Sequence, residues 1–176
     1  MVSVSGYGII SGFTNDGNKI PQQTIPQYYD KLGFSYNKFA DSITVSETEW
    51  DFERYKPDII VINLGTNDMN YATTDERKAE FEDGYLDFLK KVRSLNPDSY
   101  IFQTYGVMGT SLEENIENVR RKYMSETGDE RIAFIPLTMQ DEAADGIVAD
   151  WHPSPRTHSL VSQKGTAAIK ETLGYK

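Results

Sequence analysis

The stretch of sequence that decides the fold is Pro57-Asp58-Ile59-Ile60-Val61-Ile62-Asn63-Leu64-Gly65. It is a continuous run of mostly β-branched residues and lacks the polar–apolar alternation of a half-exposed strand. Such a run is typical of a strand that is buried on both faces of a parallel sheet. We therefore predict a parallel strand here, followed directly by the polar turn Gly65-Thr66-Asn67-Asp68.

Further strands and helices alternate along the chain after this strand. Strands are predicted over residues 100–107 and 131–137, and helices over residues 73–95, 111–127 and 159–173. Two capping pairs, Thr73 with Glu76 and Ser111 with Glu114, are predicted to begin the first two helices. The alternation of strands with helices of this length indicates an α/β fold with a mainly parallel sheet.

The residues before the first clear strand have a different composition. Residues 11–56 are rich in Gly, Asn, Gln, Pro and Tyr, which predicts an elaborate loop with one helical turn at residues 25–31. Ahead of this loop, residues 2–5 alternate valine with serine, which predicts a short strand that ends at the turn Gly6-Tyr7-Gly8. The length fits one domain, so a single domain is predicted over residues 1–176.

The composition excludes several classes of protein. The chain has 38% hydrophobic residues, enough for a core, but no run near the roughly 18 apolar residues of a membrane span. Its 18 basic and 27 acidic residues give a net charge of −9, which argues against a nucleic-acid partner. The absence of cysteine excludes disulfides, thiol catalysis and thiolate zinc sites. His152 and His158 are the only imidazoles available for acid–base chemistry.

In open α/β sheets, ligands bind outside the carboxyl ends of the strands. Three segments are predicted to meet at that rim: Ser5-Gly6-Tyr7-Gly8, Gly65-Thr66-Asn67-Asp68 and Asp150-Trp151-His152-Pro153. The main-chain N–H of Gly6 and the side-chain amide of Asn67 are the types of donor that stabilise an oxyanion in acyl transfer. His152 is the candidate general base, oriented by Asp150 or by a nearby main-chain carbonyl.

Each segment also has a purely structural interpretation. Gly-Thr-Asn-Asp is ordinary turn chemistry after a buried strand. A lone histidine is more often a hydrogen-bonded surface residue than a base, and His158 has no second ligand at metal spacing. Asp68 and Asp150 form a weak metal signal, so neither a metal nor an organic cofactor is predicted. The three segments in this order are more specific than any one of them.

Together, the three segments resemble the conserved blocks of the SGNH (GDSL-type) hydrolase superfamily, and the resemblance covers essentially the whole chain. Ser5-Gly6 is similar to the second block and the turn at residues 65–68 to the third. The resemblance implies that Gly6 and Asn67 form the oxyanion hole. Asp150-Trp151-His152-Pro153-Ser154 is similar to the fifth block, which carries the base. The implied fold is a three-layer, flavodoxin-like sandwich with a mainly parallel sheet.

The longer strings at residues 5–9, 61–68 and 149–154 narrow the resemblance to carbohydrate esterase family two, whose members remove acetyl groups from plant polysaccharides and sugars. An acetylated sugar or polysaccharide is then the expected substrate, contacted by Trp151, Tyr7 and Asp68. The superfamily's usual aspartate three residues before the histidine is here Ala149. The resemblance therefore favours a Ser–His dyad steadied by a main-chain carbonyl, with Asp150 facing the substrate.

The first block of these hydrolases, Gly-Asp-Ser at the end of the first strand, is absent from this sequence. No serine takes its place by motif, and the nearest candidates, Ser3, Ser5, Ser11 and Ser154, have simpler structural interpretations. The fold is therefore expected to lack the family's first strand, which would leave neighbouring strands with unpaired main-chain groups. Three outcomes remain open: residues 2–4 replace that strand, a homo-oligomer completes the sheet, or the chain is a piece of a longer product.

Three functions also remain open at this point. The first is an esterase that removes acetyl groups from carbohydrates. The second is an inactive carbohydrate-binding or structural remnant of the same fold, because a site without its nucleophile retains only binding. A third, metal-dependent hydrolysis through Asp68 or Asp150, predicts inhibition by a chelator. The resemblance implies a secreted or cell-surface protein, although residues 1–8 show no signal peptide. Neither a nucleic acid nor a membrane is expected as a partner.

Overall fold

The structure is a computed structural model that describes residues 4–34, 38–39 and 42–175, the side chains of residues 38–39 excepted. The chain divides into two compact units, Met1–Asp58 with Asn67–Ser99 and Ile59–Thr66 with Tyr100–Lys176, called the first and second unit below. A single domain over the whole chain stays a prediction. Of the strand predicted over residues 2–5, residues 2 and 3 lie outside the described ones, and Val4 and Ser5 are not in a strand.

Strands and helices alternate in the order that the sequence predicts. The elements are β1 (Lys38–Phe39), β2 (Ile43–Thr44), β3 (Ile59–Asn63), α1 (Asp75–Leu95), β4 (Tyr100–Tyr105), α2 (Glu113–Thr127), β5 (Ile132–Pro136), α3 (Glu142–Asp145) and α4 (Pro155–Leu173). Short 3₁₀ turns lie at Ile25–Gln27, Phe52–Arg54 and Ala149–Trp151. No helix among the described residues is both long enough and apolar enough to span a membrane.

The second unit is built on a parallel sheet of three strands in the order β3-β4-β5. The register places Val61, Phe102 and Ala133 side by side, and Ile62, Gln103 and Phe134 on the opposite face. On the first face, a cluster formed by Phe102, Ile135 and Leu137 packs against Val161, Ala168, Ile169 and Leu173 of α4. Helix α2 lies beside Phe134 and Pro136 of the other face. The prediction of an α/β fold with a parallel sheet between helices is confirmed.

The prediction that the first strand is buried on both faces is wrong at Val61. Its side chain is 52% exposed, whereas its neighbour Ile62 is buried. Within the described residues, β3 has a strand partner only in β4 and is therefore an edge strand. Helix α4 packs over the cluster centred on β4 and β5, which also contacts Ile59 of β3 but leaves the side chain of Val61 half exposed. A run of apolar residues does not by itself distinguish a central strand from an edge strand.

The first residues of the helices differ from the predicted caps. Helix α1 is capped by Thr74, whose side chain accepts the N–H of Arg77, and the main-chain N–H of Thr73 is bonded to the carbonyl of Tyr71. Helix α2 has Leu112 at its N-cap position and no side-chain cap. Both predicted caps are therefore wrong: the cap of α1 is one residue later than predicted, and α2 has no side-chain cap.

Helix α4 begins four residues earlier than predicted. The Oγ of Ser154 accepts the N–H of Thr157 at 3.2 Å and caps the helix, and Pro155 occupies its first position. A serine followed by proline is a standard helix start, since the proline ring fixes φ and needs no N–H partner there. Ser154 also donates to the carbonyl of Asp145 at 2.7 Å, which ties the start of α4 to the end of α3.

The first unit packs its long loop against one face of α1. The buried residues of α1 recur at helical spacing and are Phe81, Tyr85, Leu86, Phe88, Leu89 and Val92. Tyr29 meets Phe88 edge to face with the ring centroids 5.3 Å apart, and Lys91 donates to the carbonyl of Pro26 at 2.8 Å. The predicted helical turn is confirmed at Ile25–Gln27. The antiparallel pair β1–β2 was not predicted, because two residues are too few for a periodic pattern.

Candidate active site

The Gly6 N–H and the Asn67 amide, the predicted oxyanion donors, lie in the first unit. Asn67 donates one N–H of its Nδ2 to the carbonyl of Tyr7 at 2.8 Å, which fixes the orientation of the amide. The second N–H of that amide and the main-chain N–H of Gly6 have no hydrogen-bond partner among the described residues. Gly6 adopts a left-handed conformation with φ of 78°, which a residue with a side chain rarely adopts. Within the part of the chain that the structure describes, Gly6 and Asn67 therefore each offer one unpaired donor of the kind that an oxyanion needs.

Asp68 is fully buried and binds the segment that follows Gly8. Its side chain is 0% exposed, and its carboxylate accepts the N–H groups of Ile9, Ile10 and Ser11 at 2.8 to 3.0 Å. Burial raises the pKa of Asp68 to about 6, while these donated hydrogen bonds act in the opposite direction. This is a different role from the substrate contact expected from the sequence, since the carboxylate is occupied by the main chain.

Tyr7 belongs to a small aromatic cluster in the first unit. Its ring lies 5.9 Å from that of Phe34 in an edge-to-face arrangement and 6.1 Å from that of Tyr28. Phe34 is 43% exposed, whereas Tyr28 is buried. Aromatic faces of this kind pack against the apolar faces of sugar rings. The role of Tyr7 as a substrate contact stays a prediction.

Two of the serines considered as nucleophiles have hydroxyls that are already engaged. Ser11 donates to the carbonyl of Gly12 at 3.0 Å and accepts the N–H of Ile20 at 2.9 Å. Ser154 caps α4, as described above. Ser5 is exposed, and Ser3 lies outside the described residues. Hydrogen bonding thus gives Ser11 and Ser154 the structural roles that the sequence suggests.

His152 lies in the second unit, and its ring is bonded to a main-chain carbonyl. Nδ1 of His152 is 3.1 Å from the carbonyl oxygen of Ala149, which also accepts the main-chain N–H of His152 at 3.2 Å. Because a carbonyl oxygen can only accept, Nδ1 is the nitrogen that carries a proton in this contact, and in the neutral ring Nε2 then carries the lone pair. The exposed ring therefore presents a group that can take up a proton. The carbonyl of Ala149 thus contacts the ring, as one of the two alternatives above expects, and its role in orienting a base stays a prediction.

The loop that places His152 contains two consecutive left-handed residues. Asp150 has φ of 55° and Trp151 has φ of 61°. For residues with a Cβ this conformation costs about 1–2 kcal/mol each. The strained turn is held by the N–H of Val148, which donates to the carbonyl of His152 at 2.9 Å, and by Gln140, whose amide donates to the carbonyl of Trp151 at 2.9 Å. The contribution of Gln140 was not predicted and leaves no recognisable signal in the sequence.

The side chains of the two residues before His152, Asp150 and Trp151, are exposed. Trp151 is 64% exposed, which is unusual for so large an apolar residue, and the carboxylate of Asp150 has no hydrogen-bond or ion-pair partner among the described residues. The structure therefore shows an indole and a carboxylate that are open to solvent beside the candidate base.

The predicted site residues fall into two groups. The first unit brings Gly6, Tyr7, Asn67 and Asp68 together, and the second unit brings Asp150, Trp151 and His152 together. The described part of the chain contains no cluster of three histidine or carboxylate side chains that a metal ion would need.

Comparison with known proteins matches most of the chain to one family. A family model described as the GDSL-like lipase/acylhydrolase family matches residues 6–160. Cellulase/esterase CelE of Acetivibrio thermocellus is 35% identical over an alignment of 148 residues, which covers 79% of this chain and 17% of that protein. The chain therefore spans less than a fifth of this curated relative.

Comparison with solved structures finds similar folds among carbohydrate esterases. A family two carbohydrate esterase from Clostridium thermocellum, solved in complex with cellohexaose, is 30% identical with a TM-score of 0.75, covering 97% of this chain and 49% of that chain. The acetyl xylan esterase Est2A from the rumen bacterium Butyrivibrio proteoclasticus has a TM-score of 0.85, covering 97% of this chain and 50% of that chain. At 22% identity, the likeness to Est2A shows the fold alone.

Proposed function

The chain belongs to the GDSL-like lipase/acylhydrolase family, and on this premise we propose that it removes acetyl groups from carbohydrates. The observation that carries the proposal is the contact of His152 Nδ1 with the carbonyl of Ala149 at 3.1 Å, which leaves Nε2 as the proton acceptor. The similarity to family two carbohydrate esterases supports the choice of an acetylated sugar or polysaccharide as substrate.

The proposed reaction is acyl transfer to a serine. The serine Oγ attacks the acetyl carbonyl and gives its proton to Nε2 of His152. The carbonyl oxygen becomes an oxyanion, which accepts hydrogen bonds from the N–H of Gly6 and the free amide N–H of Asn67. When the intermediate collapses, the sugar hydroxyl leaves with the proton from His152, and water then releases acetate from the serine in the same way.

The exposed groups beside His152 are assigned to the substrate. The indole of Trp151 would pack against a sugar ring, and Asp150 would accept hydrogen bonds from sugar hydroxyls. Tyr7, with the partly exposed Phe34 beside it, offers a second aromatic surface. Asp68 is left out of the substrate contacts, because its carboxylate already accepts main-chain N–H groups.

A second candidate function rests on one specific observation, the absence of Gly-Asp-Ser from the sequence. If no other serine serves as the nucleophile, the chain binds acetylated carbohydrate without hydrolysing it. Binding without turnover, unchanged on replacement of His152, would favour this candidate.

Treatment with a fluorophosphonate probe, followed by intact-mass spectrometry, separates these two functions. We expect one adduct on one serine, because the probe reacts only with an activated hydroxyl, and we expect its loss in His152→Ala. His158→Ala is the matched control, since it removes the only other histidine and should keep the adduct. Peptide mapping then identifies the nucleophile. Folded protein that forms no adduct would contradict the esterase and leave the binding function.

We also propose that a second copy of the chain completes the sheet. Among the described residues, β3 has one unpaired edge, and Val61 beside it is half exposed. Sedimentation velocity should then show a dimer or a larger oligomer. A monomer at about 100 μM would contradict self-association. At that concentration a specific interface with a Kd near 1 μM would be almost fully formed.

Export from the cell is part of the same proposal. It is supported by the family resemblance, because polysaccharide substrates are found outside the cell.

A further inference from the structure

Three consecutive main-chain N–H groups converge on the buried carboxylate of Asp68. The N–H of Ile9 lies 3.0 Å from Oδ1 and 2.9 Å from Oδ2, and the N–H groups of Ile10 and Ser11 lie 2.8 Å and 3.0 Å from Oδ1. Successive N–H groups that point at one anion form a nest, in which the backbone conformation of the three residues is dictated by the anion. The conformation of residues 9–11 is therefore set by a side chain about 60 residues away in the sequence.

Asn67 and Asp68 hold neighbouring parts of the same segment. Asn67 donates to the carbonyl of Tyr7 at 2.8 Å, just before the nest. Gly8 lies between these two contacts and so near to Asp68 that an added Cβ would be 2.4 Å from Oδ2 of Asp68. The segment closes on itself where the N–H of Phe13 donates to the carbonyl of Gly6 at 2.8 Å. A shift of Asp68 would thus be transmitted through this short closed segment to Gly6.

Burial of the charged Asp68 carboxylate has a large cost in hydration free energy. Its pKa, raised by burial to about 6, shows that the three N–H donors offset the loss of hydration only in part. At neutral pH the carboxyl is nevertheless ionised, so it accepts from all three donors at once. The arrangement fixes one conformation of the segment rather than adding much to the stability of the whole chain.

We infer that Asp68 is a positioning residue, which places the N–H of Gly6 for oxyanion binding by fixing the conformation of residues 6–11. The effect on catalysis rests on the proposed esterase function, whereas the effect on the segment does not. Asp68 touches no substrate in this role and acts only through the main chain.

Asp68→Asn tests the inference, because the amide keeps the shape of the side chain but has one acceptor oxygen instead of two and no charge. We expect kcat to fall about 10- to 100-fold with little change in KM, since misplacement of a group that stabilises the transition state costs rate rather than binding. Hydrogen exchange measured by NMR should be at least tenfold faster at the amides of Ile9, Ile10 and Ser11. The urea midpoint should stay close to that of the wild type.

Asp129→Asn is the matched control. Asp129 also accepts a main-chain N–H, from Arg131 at 3.0 Å, but it lies in the second unit. This variant should leave kcat and the exchange of residues 9–11 unchanged.

Each result decides the inference. Unchanged exchange at residues 9–11 in Asp68→Asn, or a loss of kcat equal to that of the Asp129 control, would overturn it. If Asp68→Asn does not fold, hydrogen exchange of the wild type tests the inference instead. Amides of Ile9, Ile10 and Ser11 that exchange as fast as exposed loop amides would overturn the inference, and protected amides would support it. If the wild type has no esterase activity, the proposed function fails, while the exchange of Asp68→Asn still tests the positioning of the segment.

Discussion

Replacement of His152 by alanine is expected to lower kcat/KM for an acetylated xylo-oligosaccharide by about 10³-fold. The variant loses both the group that takes the proton from the nucleophile and the group that returns it to the departing sugar hydroxyl. A factor of 10³ corresponds to about 4 kcal/mol of transition-state stabilisation. The measurement is acetate release under initial-rate conditions.

The leaving group provides an internal check on this prediction. A sugar hydroxyl is a poor leaving group and needs a proton, whereas 4-nitrophenolate leaves without one. The loss in His152→Ala should therefore be smaller for 4-nitrophenyl acetate than for the sugar ester. His158→Ala, which removes an exposed histidine of α4, should keep both activities. Equal losses in the two histidine variants would show that His152 is not the base.

Replacement of Gly8 by alanine is expected to lower the free energy of unfolding by about 3 kcal/mol or more. The added Cβ would lie 2.1 Å from the carbonyl oxygen of Ser11 and 2.4 Å from Oδ2 of Asp68. Neither atom can move freely, because one belongs to the main chain and the other accepts the N–H of Ile9. The main-chain hydrogen bonds of Gly8 with Gln23 and Ile25 would be displaced as well. Urea denaturation followed by circular dichroism measures the change.

Gly165→Ala is the matched control for Gly8→Ala. Gly165 lies inside α4, where an added Cβ meets no other atom within 4 Å. Alanine there should raise the free energy of unfolding by about 1 kcal/mol, the difference in helix propensity. If both substitutions lowered the free energy of unfolding by similar amounts, the short distances from Gly8 to Ser11 and Asp68 would not be the cause.

The local pattern of the sequence was sufficient to predict the parallel strands and the order of the elements. Three β-branched or aromatic runs became β3, β4 and β5, and α2 ends at the left-handed Gly128 as expected. These features depend on residues that are close in sequence, so they can be predicted from apolar runs alone. The exposure of Val61 depends instead on which elements cover β3, which no local pattern records.

The candidate site was predictable in part for the same reason. The types of group at Gly6, Asn67 and His152 are visible in short motifs, and a main-chain carbonyl was among the two alternatives for orienting His152. The role of Asp68 was missed, because its partners are main-chain N–H groups about 60 residues away and any sequence supplies such groups. The cap of α1 was misplaced by one residue, since Thr73 and Thr74 are equally good caps by residue type, and the local pattern does not distinguish them.

The left-handed turn at Asp150 and Trp151 implies a trade-off between stability and function. Both residues carry the strain of a positive φ, and Trp151 exposes most of its indole to water. Selection for stability alone would favour glycine or asparagine at position 151, where either adopts this conformation at lower cost. The stability that the chain gives up at Trp151 is therefore what the proposed contact of the indole with a sugar ring has to outweigh.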